Sequence, residues 1–587
     1  MALVNLAASG LAGVLWYLWP QLGPWPLLLV LVGQIGRVRS SGQWLPRTRF
    51  DAPLLLFFVT ALLAAILAYN PTLAWAKFWV IVAGLALYAA LATTPEEVML
   101  PRVGVIAPRR LLVGSLASLV ALYFLFTNDW LRWQGKLPSL DPLLTWLAAW
   151  QPALPGHRLH PNVAGGLIAA LLPLQAAALS GSRARGPLLA LSGAGLLLSL
   201  SRGAWAALAI SAAAWWAWTQ GRRWLALRVN GRPTRPWLLA GLGMLLLALA
   251  LLALGAGRGW FPLPTAVSGR LLIWRHSLDL ASDYAFTGLG LDNFEMAYSS
   301  YVMLLHVGYQ VHSHNLLLNV WLEQGLLGLA AFAWLLLALV RRPAAPSWWR
   351  PAALMAVGVI LLHGQVDDAF YGSRGVLLRF LPWALIPAPA RGAAAPRAGA
   401  AAPARASAGW AAARPFVWAV VGLLAAVLLL LPGTRARFQA NLGALRQTRA
   451  ELAAYTWPQW PLQDELRRSG AINLAPALAH FQAALALDAT NVTANRRLGQ
   501  IELSLGQYEA ARRHLEAAYA SAPDQRATVQ LLGESYAIES QVDRAARLWR
   551  TIDLGQGQIA LRTWWYDHIE QAGYAALLGQ AANQSRR

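Results

Sequence analysis

The residues best suited to chemistry stand in the stretch 269–328, which is rich in Arg, His, Asp, Asn and Tyr although long apolar runs flank it. His314 and Asn315 open the last of these runs. An imidazole at a membrane surface, with His312 two residues before it, can take a proton from a hydroxyl near neutral pH. The plain alternative is an interfacial His that hydrogen-bonds a neighbour. Arg202 follows Ser201 between two short apolar runs, and Arg270 and Arg275 lie inside the polar stretch. A guanidinium binds phosphate oxygens in pairs and keeps its charge, so two or three Arg facing one site suit a diphosphate. Each could instead neutralise a lipid head group or a carboxylate such as Asp279.

Other polar residues fall in comparable places. His157, His160 and Asn162 precede an apolar run that begins at 163, and Asp367 and Asp368 separate two late runs. These carboxylates can orient an imidazole or a guanidinium, bind sugar hydroxyls, or simply form a solvated turn. Gly325 and Gly328 share a helix face in the run after His314, where another helix can approach closely. His312, His314 and Asp367 could ligate a metal, but no tight ligand spacing such as HExxH appears, so no metal is expected. The chain carries no P-loop or Gly-rich nucleotide fingerprint, and Gly288-Leu289-Gly290 reads as a turn. ATP and nucleotide-sugar chemistry are not expected, nor is any cofactor.

The elements that must position these groups are membrane helices. Of 587 residues, 57% are hydrophobic and 13% charged, with a mean hydropathy of +0.44. Soluble domains carry about 25% charged residues. The 30 Trp suit interfacial belts, and the absence of Cys excludes disulfides, thiolate metal sites and Cys nucleophiles. Apolar runs predict spans near 3–19, 24–36, 52–69, 74–92, 111–127, 163–181, 187–200, 203–219, 237–256, 315–340, 351–365, 374–388 and 414–432, about 12–13 in all. The N-terminus lacks the basic region of a cleavable signal peptide, so the first run is expected to stay as a helix. The formal charge of +22 comes almost wholly from Arg. If the spans alternate, the Arg-bearing loops 37–51, 93–110, 182–186, 220–236, 341–350 and 389–413 all fall on one side, which the positive-inside rule makes cytoplasmic. This explains the charge without nucleic acid. The polar loop 257–314 and everything after 432 then face the other side.

Beyond 433 the composition turns to Arg, Glu, Gln and Ala with helical spacing. Leu498-Gly499, Gly506, Tyr508, Ala511, Leu515, Ala518 and Pro523 fit a 34-residue tetratricopeptide repeat, and offsets of 34 recover Leu532-Gly533, Ala545 and Trp549, then Ala477, Phe481 and Ala484. Such arrays present concave surfaces that bind proteins, though a helical cap without a partner remains open. The expected organisation is all-α: a polytopic domain over 1–432 and a helical repeat domain over 433–587.

Several motifs, taken in order, resemble the O-antigen ligase and O-antigen polymerase superfamily. They are HPN-x-A-G (His160 to Gly165), SRG (Ser201 to Gly203), R-x3-W (Arg270 to Trp274) leading to G-x-G-x-x-x-F (Gly288 to Phe294), and HN-x9-G-x-x-G (His314 to Gly328). The resemblance covers roughly residues 50–390. It implies transfer of a glycan from undecaprenyl diphosphate to an acceptor at the outer face of the bacterial cytoplasmic membrane, without metal or nucleotide. It also implies that His314 activates the acceptor hydroxyl, that Arg202 and Arg270 hold the diphosphate, and that the Asp367 loop supplies a carboxylate. Ligases, polymerases and protein O-oligosaccharyltransferases share these motifs, so the acceptor stays open between lipid A core, a growing glycan and a protein hydroxyl. The implied partners are the lipid-linked donor, the acceptor, the bilayer and a protein on the repeat domain. A lipid-linked glycan transporter or a membrane-anchored scaffold is the more distant reading. A transporter should place polar residues at mid-span with broken helices, whereas the sequence gathers them at one membrane face.

Overall fold

In the computed structural model, residues 2–41, 48–100, 104–131, 135, 138–152, 158–228, 265–305, 307–340, 347–386, 431–455, 462–554 and 558–587 are described. The expected span 237–256, nearly all of 414–432, and His157 lie outside them. The apolar runs become helices: Ala2–Leu18, Leu27–Ser41, Asp51–Leu67, Pro71–Thr93, Pro108–Thr127, Pro161–Ala178, Arg185–Leu198, Arg202–Arg228, Leu316–Val340 and Arg350–His363. Pro71, Pro108 and Pro161 sit in the first turn, where the missing N–H costs nothing. Among the described residues, four helices are long and apolar enough to cross a membrane: 71–93, 108–127, 161–178 and 316–339. Among the described residues strands are confined to one small hairpin, Val98–Leu100 with Gly104–Ile106. The chain is an all-α polytopic membrane protein.

One helix shows how the bundle meets lipid. Leu55, Val59, Leu63 and Ile66 of Asp51–Leu67 are exposed along one face, while Leu54, Phe57, Ala61, Ala64, Ala65 and Ala68 are buried on the other. At one end of the bundle, the Glu96 carboxylate accepts from Arg109 and from the Trp349 indole, at 3.1 and 2.9 Å. The polar stretch and its partners gather at the opposite end.

Two expectations change. Residues 374–386 of the expected span 374–388 do not form a straight helix. A 3-10 turn, Arg374–Leu378, is followed by the short helix Leu381–Leu385. Pro382 fixes the first turn of that helix, and the buried Arg379 guanidinium lies 4.0–6.0 Å from the rings of Phe332, Tyr371, Phe57 and Phe380. Polar residues also do not gather only at the membrane face. Lys77 and Glu323 form a buried pair at 2.7 Å, about 9 Å along its helix from Pro71. Beside them, Gln324 accepts from Thr60 Oγ1 and donates to the Tyr371 hydroxyl, both at 2.8 Å.

This buried pair sits where helix Leu316–Val340 breaks. Gly325 has φ +69° and ψ −173°, so the helix is not continuous and Gly325 does not share a helix face with Gly328 as the sequence suggested. The freed carbonyls of Leu322 and Glu323 accept from the backbone N–H groups of Leu289 and Gly290, and Leu326 N–H donates to Ala285 O. The approach at Gly325 is made by this turn, not by another helix. A Cβ there would lie 2.6 Å from the Phe286 carbonyl carbon and nearer still to its oxygen. At Gly328 the close neighbour is the Gln324 side chain of its own helix. In a transporter, freed groups of this kind face a substrate; here the chain's own turn uses them.

The C-terminal residues form helix hairpins. Val492–Leu505 with Tyr508–Ser521 recurs as Arg526–Ile538 with Val542–Trp549, each helix starting 34 residues after its counterpart. Gly499 and Gly533 make room for the large residue of the second helix: a Cβ would lie 2.6 Å from Leu515 Cγ and 2.6 Å from Trp549 Cδ1. Helix Pro432–Leu452 joins the array to the polar stretch through a core shared by Leu445, Tyr284, Phe294, Tyr301, Leu318 and Leu322.

Candidate active site

Local chemistry builds the His314 turn. Asn315 caps helix Leu316–Val340, its Oδ1 accepting from Leu317 and Leu318 N–H at 3.1 Å, while Leu316 N–H donates to Gly364 O. The cap fastens the start of this helix to the end of helix Arg350–His363, and Asn315 Nδ2 donates to Gln365 Oε1 at 3.0 Å. His314 itself has φ +53°. For a non-Gly residue this left-handed conformation is uncommon, and such strain clusters at functional sites.

Both ring nitrogens have a polar neighbour. Its Nδ1 faces Asp367 Oδ1 at 3.8 Å, and its Nε2 is 2.8 Å from Gln310 Nε2. The same Gln310 amide donates to His312 O at 3.1 Å. Since the amide donates, Nε2 is the acceptor and the ring proton sits on Nδ1, toward the carboxylate. His314 N–H donates to His312 Nδ1 at 3.3 Å, and the two rings meet edge to face at 4.4 Å. Asp367 receives the Asp368 N–H at 2.8 Å. Burial alone would raise the Asp367 carboxyl, but His314, His312 and His363 hold it well below the usual carboxylate range. Burial, reinforced by His314, pushes His312 below the ordinary histidine value and favours its neutral form. Asp368 accepts from Asn319 Nδ2, and Asn319 Oδ1 accepts from Ser313.

Three motifs distant in sequence pack around this turn. His160 caps helix Pro161–Ala178, its Nδ1 accepting from Asn162 N–H at 3.3 Å. One turn on, Gly165 and Gly166 admit two neighbours: a Cβ would lie 2.7 Å from Ser201 Cβ at the first and 2.6 Å from His363 Cε1 at the second. Leu200, with φ +50°, turns the chain into Ser201-Arg202-Gly203, and Gly203 abuts Val366 and His363. Arg202 is therefore the exposed first residue of its helix beside the loop that bears Asp367. Arg270, half-buried, lies within electrostatic range of His363. Neither is ion-paired among the described residues. Arg275 is placed differently: it pairs with Asp524 of the C-terminal helices at 2.6 Å, on the surface.

His312, His314 and Asp367 offer three ligand atoms within 4.8 Å of one another. The hydrogen bonds that already use His312 Nδ1, His314 Nε2 and Asp367 Oδ1 favour an oriented base over a metal shell. Sequence reading missed Gln310, Asn319, His363 and Gly166. His363 and Gln365 were hidden inside an apolar run counted as a span, and the HGQVDD string that ends it was the available signal.

Residues 187–333 match the family model described as O-antigen ligase. The match covers about a quarter of the chain and includes Arg202, Arg270, Arg275, His314, Gly325 and Gly328. It supports the O-antigen ligase superfamily and, at that level, glycan transfer in a membrane. No curated protein and no solved structure matches the chain.

Proposed function

We propose that the protein transfers a glycan from a polyprenyl diphosphate, of the undecaprenyl type, to an acceptor hydroxyl at the outer face of the cytoplasmic membrane. His314 Nε2 takes the acceptor proton. The acceptor oxygen attacks the anomeric carbon, the bond from that carbon to the diphosphate oxygen breaks, and the configuration inverts. The leaving polyprenyl diphosphate gains the negative charge, which Arg202 and Arg270 stabilise. Asp367 keeps the proton of His314 on Nδ1 and balances the imidazolium that forms. Asn315, His160 and Asn162 hold the elements that carry these groups, and Arg275 serves the contact with Asp524.

The observation that carries this reading is the orientation of His314, with its basic nitrogen contacted by Gln310 and its other nitrogen toward Asp367; Arg202, beside the Asp367 loop, and Arg270, within electrostatic range of His363, are not ion-paired among the described residues. The proposed mechanism uses no metal. The test supplies purified protein with a polyprenyl-diphosphate-linked glycan and, separately, a lipid A core, a free glycan and a peptide acceptor. Mass spectrometry should find the glycan joined to one of them. Uptake of the donor across a vesicle membrane without a new glycosidic bond would favour the transporter.

A further inference from the structure

The inner face of the C-terminal array is already occupied by the chain's own residues. On helix Val492–Leu505, Thr493, Arg496, Arg497, Gln500 and Ser504 recur at helical spacing on one face and are all buried. Asp283, at the end of helix Thr265–Asp283, accepts from Thr493 Oγ1 at 2.8 Å, from Arg497 Nε at 2.9 Å and from Arg496. Arg496 also donates to Tyr301 O at 3.2 Å, and the Arg497 guanidinium lies 4.1 Å from the Tyr301 ring centroid. On the next repeat, Arg526 donates to the carbonyls of Val302 and Met303, both at 3.2 Å. Leu304 enters the core of the array beside Leu503 and Leu531. The Tyr301 hydroxyl donates to Glu451, a carboxylate also bound by Arg467.

These contacts grip both ends of the segment 283–304. Arg270 lies on the helix that leads into the grip at Asp283, and His314 lies ten residues beyond Leu304, where the chain leaves it. We propose that the C-terminal array is an internal clamp whose ligand is residues 299–304 of this chain, and that it sets the spacing between Arg270 and His314. Arg496, Arg497 and Arg526 are then positioning residues. A partner protein on the inner face, expected from the repeat pattern alone, would have to displace this segment.

The inference rests on the proposed transfer only for its activity readout. Arg526→Gln in the full-length protein should speed hydrogen exchange of the 299–304 amides. It should also lower kcat on the order of tenfold to a hundredfold through misplacement, with KM for donor and acceptor within about twofold. Arg526→Lys should recover part of both effects. Unchanged kcat with an exposed segment would overturn the proposal, as would a raised acceptor KM with kcat intact, which marks a docking face. Because the chain has no cysteine, Ser300→Cys with Gln500→Cys gives a second test. Both residues line one small cavity between the segment and the array. The oxidised, cross-linked protein should transfer as fast as its reduced form; inactivation on cross-linking would show that the clamp must open. If the wild type transfers nothing, the reading of the reaction fails while the exchange result still judges the clamp.

Discussion

Asp367 stands 3.8 Å from His314, with its carboxylate toward Nδ1 and away from the nitrogen that Gln310 contacts. This arrangement makes Nε2 the basic nitrogen, and the acceptor hydroxyl takes the place of the Gln310 amide on it. Asp367→Asn keeps the acceptor for Asp368 N–H but removes the charge, so it should fold and lose about 10²-fold or more in kcat, the scale typical of one general base. Single-turnover transfer measures this. Wild-type rates would remove the carboxylate from the mechanism. A base of this kind needs no metal, so EDTA should not inhibit; inhibition reversed by one metal would turn His312, His314 and Asp367 into a ligand set.

Arg202 and Arg275 should behave differently. Arg202→Lys replaces a paired donor fork by a point charge. It should weaken donor binding and slow transfer by roughly tenfold or more, since charge-assisted hydrogen bonds are worth about 1.5–3 kcal/mol. Arg275→Ala removes only an exposed pair, of a kind worth about 0–1 kcal/mol, and should stay close to wild type. Steady-state kinetics in both substrates separates the two.

Gly325→Ala and Gly328→Ala should both destabilise the protein, Gly325→Ala the more. At Gly325 a Cβ meets the Phe286 backbone and must also adopt a positive φ, a combination that costs a few kcal/mol. At Gly328 a Cβ would lie 2.3 Å from Gln324 Cβ, so the backbone there must shift and the Gln324 bonds to Thr60 and Tyr371 suffer, but no positive φ is required. Thermal unfolding in detergent should rank them in that order.

Asp279 gives a pH signature. Burial pushes its carboxyl up to about 6, beside Arg496 and Asp524. The folded state thus favours the neutral acid. Its stabilising contribution is full below the ordinary carboxylate value and is lost as pH rises through about 6. Asp279→Asn should therefore raise the thermal midpoint at pH 7.5 and leave it unchanged at pH 4. An equal shift at both would show that charge is not the cause.

Much of the site is legible in the sequence because its chemistry is local. His314 and Asn315 stand where a polar stretch meets an apolar run, and HPN and SRG sit at helix starts. What joins them is not local. Nothing in the spacing says that the turn Phe286–Gly290 fills a helix break at Gly325, because the pairing is made by backbone groups 33 residues or more apart in the chain. Lys77 lies inside the expected span 74–92, and nothing in the sequence names Glu323 as its partner. Repeat spacing identified the helices of the C-terminal array, yet it carries no information about what lies on their inner face. Asp283 is more than 200 residues from Arg496 and Arg497, and no local signal links them.

The central claim is that His314 is the base for an inverting transfer. His314→Asn is the variant of choice, because Asn tolerates the left-handed backbone that Ala would strain. Purified wild-type and variant proteins would be given one lipid-diphosphate glycan of known anomeric configuration and the acceptor identified by mass spectrometry. The account predicts a wild-type product of opposite anomeric configuration by NMR, and a variant that inserts and binds donor normally but transfers at least about 10²-fold more slowly. Retained configuration, or undiminished transfer by the variant, would contradict it.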